Sequence, residues 1–219
     1  MHKLYQNAGI LTVKNLSVRR GNLTLISSLD ISLAPGDTIW IKGGNGIGKT
    51  SLLQCCAGLL RPHTGQILWN DTNIEKYATG YCIYQGHMDA HKPELSATEN
   101  LEFWKSVYNS AHDINMVLER VGLRQQRKLR AKKLSAGQSR RLALARLLIS
   151  NTPLWILDEP SAAMDVKGRD LVESLLQDHI AKNGSVLLAS HGAPTRIGNN
   201  TRLLTLQEGH NAGDIDASV

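Results

Sequence analysis

The chain reads as an α/β fold: a core built on a parallel sheet, with an antiparallel β region at the N-terminal end and a helical subdomain of about 95–146. Three observations predict it. Strand-like and helix-like stretches alternate along most of the 219 residues, the pattern of a parallel sheet covered by helices. The run Leu154–Leu157 is apolar at every position, as a strand buried on both sheet faces requires. The residues before Pro35-Gly36 alternate with period two around a Gly21-Asn22 turn, which is hairpin patterning.

The elements follow in order. Leu11–Val18 alternates as a strand, Gly21-Asn22 turns the chain, and Asn22–Leu33 continues as strand-like pieces. Thr38–Lys42 is a short apolar strand, Gly43–Gly48 a loop, and Lys49–Ala57 a helix stopped by Gly58. Gln66–Trp69 and Tyr81–Tyr84 are further strands. From Thr98 to Val121 the spacing is helical, with Asp113 as an N-cap and Gly122 as the residue past the end. The helix Ser135–Ile149 opens on a capping box, Ser135 with Gln138 three residues later. A helix over Val166–Lys182 ends at Asn183-Gly184, and Ser185–Ser190 and Arg202–Leu206 are the last strands. The tail after Glu208 is polar and is expected to fray. The sequence has no internal repeat and no low-complexity segment.

Apolar residues at 42% suffice for one core, and with a single phenylalanine that core rests on Leu, Ile, Val and Ala. A net charge of +6 favours anionic partners. Much of the excess lies in Arg124–Lys133, expected to be a solvated basic helix face. Cys55, Cys56 and Cys82 form no CxxC pair and suit a reducing compartment; Cys55 and Cys56, in an apolar helix, read as small core residues. Met1–Gly9 is polar, so no signal peptide is expected, and no apolar run approaches the about 18–20 residues of a membrane span.

The chemistry lies in two motifs. GGNGIGKT, Gly43–Thr50, matches G-x-x-x-x-G-K-[ST] and sits between a strand and a helix, the context that gives the motif meaning. It predicts a P-loop NTPase, RecA-like core. Backbone N–H groups of Gly43, Gly44, Asn45, Gly46, Ile47 and Gly48 would wrap phosphate oxygens. Lys49 would reach the β and γ phosphates, Thr50 would ligate Mg²⁺ through its hydroxyl, and Ser51 would be the last contact. In LWILDEP the apolar strand delivers Asp158 to Mg²⁺, and Glu159 is placed as general base toward the attacking water. His191 ends the strand SVLLASH within reach of a γ-phosphate and completes a catalytic set with Lys49 and Glu159.

A second anion surface stands apart from the first. Local capping explains Ser135 and Gln138, but Gly137 costs about 1 kcal/mol in a helix relative to Ala. Glycine is suited to a place where a backbone or ligand comes close, and a bare helix N-terminus attracts anions.

The P-loop, LSAGQ, LDEP, SAAMD and the downstream histidine, in that order over about Leu11–Leu206, resemble the nucleotide-binding subunits of ATP-binding-cassette (ABC) transporters. The resemblance implies a head-to-tail homodimer working with separate integral membrane subunits. Ser135, Ala136, Gly137 and Gln138 would then cover the γ-phosphate of ATP held by the other copy, and the loop Ser161–Asp165 would cross the interface. Three positions depart from the family. Ala136 stands where glycine is usual. Arg20 stands where an aromatic residue stacks on adenine; a guanidinium plane can stack there instead. The glutamine that touches Mg²⁺ and the membrane partner is either Gln85 or, counting back from Glu99-Asn100-Leu101, His87. The string HMDAH, His87–His91, looks like a metal cluster but is read as a partner-facing loop.

The segments GH…KP…L…ENLEFW, LSAGQSRRLALARL and LWILDEP together resemble the ATP-binding subunits of the cytochrome c maturation system, the haem exporter. That resemblance implies ATP hydrolysis by a peripheral subunit on the cytoplasmic face of the inner membrane; the chain itself carries no CxxCH haem motif. The alternatives are the ATPase of another small-molecule or lipid exporter, and a soluble cassette acting on ribosomes or DNA. One uninterrupted cassette without sustained heptads speaks against the latter, and no nucleic-acid partner is expected. A non-hydrolysing module is disfavoured by Lys49 and Glu159 together.

Overall fold

Residues 5, 7–76, 80–190, 192, 200–207 and 215–216 are described by the computed structural model. They fall into two compact units, one of Met1–Tyr84, Thr152–Glu159 and Leu176–Val219, the other of Gln85–Asn151 and Pro160–Leu175.

In the first unit, β1 (Leu11–Arg20) and β2 (Leu23–Leu33) pair antiparallel around the Gly21-Asn22 turn, where Gly21 takes φ 58°. Leu11 and Val13 are buried on odd positions of β1, Leu16 and Val18 on even ones. A register shift between Val13 and Leu16, with Asn15 at φ 49°, resets the alternation without losing the core face. β4 (Thr64–Trp69) pairs with β1, and β5 (Thr72–Asn73) extends the sheet to the order β2-β1-β4-β5. The second sheet has the order β10-β9-β3-β8-β7-β6, from β3 (Thr38–Lys42), β6 (Cys82–Gln85), β7 (Leu154–Asp158), β8 (Ser185–Ala189), β9 (Thr201–Thr205) and β10 (Ile215–Asp216). The pairs β3/β8, β3/β9 and β7/β8 are parallel. Every residue of β7 and β8 is buried, which explains their apolar runs Leu154–Leu157 and Val186–Ala189.

Helix α1 (Lys49–Cys56) follows β3 and buries Leu52, Leu53, Cys55 and Cys56. Gly58, at φ 71°, closes it as expected. Burial pushes the Cys55 thiol up to about 11 and Cys82 to about 12, with Cys56 moved in the same direction, so the three cysteines are protonated packing groups. His179 is also a core residue. Its ring stacks on Trp155 at 3.9 Å, with Nδ1 2.9 Å from the Tyr5 hydroxyl and Nε2 3.2 Å from the Ser185 carbonyl. Burial lowers its pKa to about 3, so it is neutral at ordinary pH.

In the second unit the helical pattern expected over Thr98–Val121 resolves into two helices, α2 (Ala97–Val107) and α3 (Ile114–Arg120). Asn109 at φ 47° ends the first, and Asp113 caps the second through the N–H of Asn115 at 2.7 Å. Gly122, φ 73°, terminates α3. The expected basic helix face at Arg124–Lys133 is corrected: the segment is two 3₁₀ turns, Arg124–Gln126 and Ala131–Lys133. Its backbone bonds go instead to the stretch before α2, from Ala97 N–H to Leu129 O and from Ala131 N–H to Leu95 O. The charges are solvated, and Arg124, Arg130 and Lys132 pair with Glu119 or Glu94. Helix α4 (Ala136–Ser150) is buried around most of its circumference, and α5 (Val166–Ile180) begins in this unit.

Candidate functional site

The first unit assembles the P-loop from the end of β3 and the start of α1. A Cβ on Gly43 would fall 2.9 Å from both the Ile47 side chain and the Leu206 carbonyl, so only glycine fits that turn. Gly48 takes φ 113° and lies against Leu25 of β2. Gly44 and Gly46 face open space, and Asn45 is exposed. No side chain caps α1, so the first N–H groups of the helix, at Lys49, Thr50 and Ser51, are left for an incoming anion. The buried Lys49 ammonium donates to the Gly43 and Gly44 carbonyls at 2.7 and 2.8 Å, inside the loop.

Next to it, the Thr50 hydroxyl donates to Asp158 Oδ2 at 2.6 Å, and Asp158 is fully buried at the end of β7. A hydroxyl and a carboxylate brought together from two elements are hard oxygen ligands, the set Mg²⁺ takes while keeping several waters. Glu159 follows at φ 51°, half-buried, its N–H donating to the Ala189 carbonyl at 2.9 Å. β7 and β8 thus aim the Asp-Glu pair. Arg20 is exposed at the end of β1, opposite Leu23. His191 lies outside the described residues.

The second unit carries the other sequence candidates. Ser135 Oγ accepts from Gln138 N–H at 3.3 Å, and Gln138 Oε1 accepts from Ser135 N–H at 3.0 Å, the expected capping box. Both side chains are spent locally, and Ser135 and Ala136 are exposed. A Cβ on Gly137 would meet only the Ala163 carbonyl, at 3.7 Å, so nothing described in the chain itself requires glycine there. Asp165 caps α5 by accepting from Gly168 N–H at 2.8 Å and lies 3.6 Å from Arg141.

Gln85 is fully buried. Its amide nitrogen donates to the Gly86 and Met88 carbonyls, and its oxygen accepts from Arg146 at 3.2 Å. The Arg146 guanidinium stands 4.9 Å over the Trp104 ring. His87, two residues on, is exposed. The string His87–His91 does not gather as a metal cluster: Asp89 pairs with Arg140 at 3.0 Å, and His91 Nε2 lies 2.9 Å from the Ser139 carbonyl. Among the described residues no group of three His, Cys, Asp or Glu is placed to hold a metal.

Sequence reasoning missed Arg140. Nothing in the sequence assigned it a role, yet it is 4% exposed and donates to Pro160 O, Gly86 O and Asp89. No local signal marked it, since its neighbours Gln138, Ser139 and Arg141 are polar or charged.

The ABC transporter family model matches residues 26–162, a span that contains the P-loop, Ser135–Gln138 and Asp158-Glu159. This chain belongs to the ABC transporter family. It is 44% identical over 187 residues to the cytochrome c biogenesis ATP-binding export protein CcmA of Haemophilus influenzae, covering 83% of this chain and 88% of that one. To the protein of the same name from Methylococcus capsulatus it is 43% identical, covering 84% and 91%. A solved ATP-binding cassette, a dimer in a post-hydrolysis state bound to ADP and Pi, superposes with a TM-score of 0.82 at 21% identity over 94% of this chain and 98% of that one. That likeness establishes the fold: the ABC cassette's α/β P-loop NTPase architecture.

Proposed function

We propose that the chain is the ATP-hydrolysing subunit of an inner-membrane ABC exporter for cytochrome c maturation, the haem exporter. The observation that carries the ATPase reading is the Thr50–Asp158 contact at 2.6 Å beside the Lys49-filled P-loop, in the unit that also holds Glu159. The names of its relatives support the cytochrome c assignment. The whole chain acts as one nucleotide-binding domain with a helical subdomain over about 95–146.

In this reading ATP phosphates settle on the N–H groups of 43–51, and the Lys49 ammonium exchanges the Gly43 and Gly44 carbonyls for phosphate oxygens. Thr50 and Asp158 hold Mg²⁺. Held by those two residues, Mg²⁺ would supply positive charge that offsets the charge of the phosphates. Glu159 takes the proton of the attacking water, with His191 at the γ-phosphate. Arg20 stacks on the base. His87 rather than Gln85 serves the loop that meets metal and membrane partner, because the Gln85 amide is already committed to Gly86, Met88 and Arg146.

Two copies act head to tail, each covering the other's ATP with Ser135–Gln138 and the Ser161–Asp165 loop. The absence of any tight contact for an added Cβ at Gly137, whose nearest described neighbour would be the Ala163 carbonyl at 3.7 Å, supports this. Gly137→Asp should fold normally, bind ATP and lose about 10²-fold or more in hydrolysis, since its carboxylate would face a phosphate across the dimer. Full activity in that variant, read by phosphate release, would remove the trans-capping account. No helix described here is long and apolar enough to cross a membrane, so the subunit would sit on the cytoplasmic face through its integral partners.

The partner assignment is tested by capturing the Glu159→Gln chain with ATP from detergent-solubilised native membranes, followed by mass spectrometry. Multi-span proteins encoded with the cytochrome c maturation machinery are the expected catch. An unrelated permease would redirect the cargo, and ribosomal proteins or DNA would overturn the transporter role.

A further inference from the structure

Glu159 holds a left-handed backbone conformation, φ 51°, which a non-glycine residue keeps only when its surroundings fix it. On its N-terminal side the anchor is its own N–H to the Ala189 carbonyl at 2.9 Å. On its C-terminal side the next residue is Pro160, which has no N–H to give. With the Pro160 N–H missing, the backbone tether seen just past Glu159 is the Pro160 carbonyl, to which Arg140 Nε donates at 3.1 Å.

The same guanidinium is itself fixed. Its Nη1 donates to the Gly86 carbonyl at 2.9 Å and to Asp89 Oδ1 at 3.0 Å. Arg140 is 4% exposed and stands on α4, one turn past Gly137. A planar fork serves three acceptors from two loops, a task that the single point charge of lysine cannot perform.

We infer that Arg140 is a positioning residue for hydrolysis: it tethers the Pro160 carbonyl and so holds the Glu159 carboxylate in its working place, and the 86–89 loop governs that hold through Asp89. In this reading Arg140 acts on the Pro160 carbonyl and not on the reacting atoms. The inference rests on the ATPase reading above. It couples the turnover step to the loop at 86–89 and to the helix that begins at Ser135. Displacement of that loop would slacken the tether and slow proton removal, while the Lys49, Thr50 and Asp158 groups that hold ATP and Mg²⁺ in this reading keep their own contacts.

The test is steady-state ATP hydrolysis by the full chain, with and without native membranes, comparing the unaltered protein with Arg140→Lys, Asp89→Asn and the double variant. Cooperative thermal melting is followed in parallel. Arg140→Lys should lower kcat by about 10- to 100-fold while KM for ATP stays within about twofold, the signature of a misplaced base rather than lost binding. Asp89→Asn should lower kcat by a smaller factor with KM unchanged, and should add nothing in the Arg140→Lys background, because both act through one tether.

A kcat for Arg140→Lys within about twofold of the parent would overturn the inference, as would a KM that rises in step with the loss. Independent, multiplicative effects of the two changes would do the same. If Arg140→Lys fails to melt cooperatively, Asp89→Asn decides alone, and an unchanged kcat there refutes the tether. Absence of hydrolysis by the unaltered chain in both conditions would instead bring down the ATPase reading.

Discussion

Replacing Lys49 with alanine should abolish ATP turnover. The ammonium is already inside the loop, held by the Gly43 and Gly44 carbonyls at 2.7 and 2.8 Å and largely shut off from water. Its charge is thus placed before any phosphate arrives, and a preorganised charge of this kind is worth about 10²–10³ in rate by itself. Its removal also takes away charge-assisted hydrogen bonds to the phosphates, each worth about 1.5–3 kcal/mol, so affinity should fall at least about tenfold. The fold should survive, because the rest of α1 is anchored by Leu52, Leu53, Cys55 and Cys56 in the core. Titration with a fluorescent ATP analogue and phosphate release would check both parts. Near-native binding by Lys49→Ala would mean that the loop's N–H groups alone hold the nucleotide.

The parts of this molecule that could be read in the sequence are those where local rules and tertiary demands agree. The P-loop was legible because Gly43 and Gly48 are required by sterics and backbone angle, and those requirements leave a spaced pattern of glycines. The capping boxes at Ser96/Glu99 and Ser135/Gln138 are local devices, so a short string of residues specifies them fully, although only the second was singled out. β7 and β8 were visible because burial on both faces leaves the runs Leu154–Leu157 and Val186–Ala189 wholly apolar.

Misreadings arose where distant chain supplied the partner. The basic run Arg124–Lys133 looked helical by composition, but its backbone groups pair with residues about thirty positions earlier, which no local pattern encodes. β5 and β10 are two residues long and depend wholly on their neighbours β4 and β9. Arg140 is the clearest case. Its positive charge was plain, yet its three acceptors come from Pro160, Gly86 and Asp89, between 20 and 54 residues away. The ambiguity between Gln85 and His87 is of the same kind, since it turns on Arg146 reaching back to the Gln85 amide.

Glu159→Gln should give the opposite phenotype to Lys49→Ala: tight ATP binding with almost no hydrolysis. The amide has the size and rotamers of the carboxylate, so the backbone strain at φ 51° and the bond to Ala189 O are retained. Thr50, Asp158 and Lys49 are untouched, and the metal and phosphate contacts stay in place. What is lost is the ability to accept a proton from water, and a general base contributes about 10²–10⁴ in rate. With chemistry blocked and binding intact, the ATP-loaded, two-copy state should accumulate. Size-exclusion chromatography should show a dimer with ATP and Mg²⁺ and a monomer with ADP. The two variants together separate binding from chemistry. Loss of turnover in both, with nucleotide retained only in Glu159→Gln, assigns Lys49 to holding the phosphates and Glu159 to the water. Hydrolysis by Glu159→Gln at the native rate would move the base to another residue, and the tether from Arg140 to Pro160 would then have nothing catalytic to position.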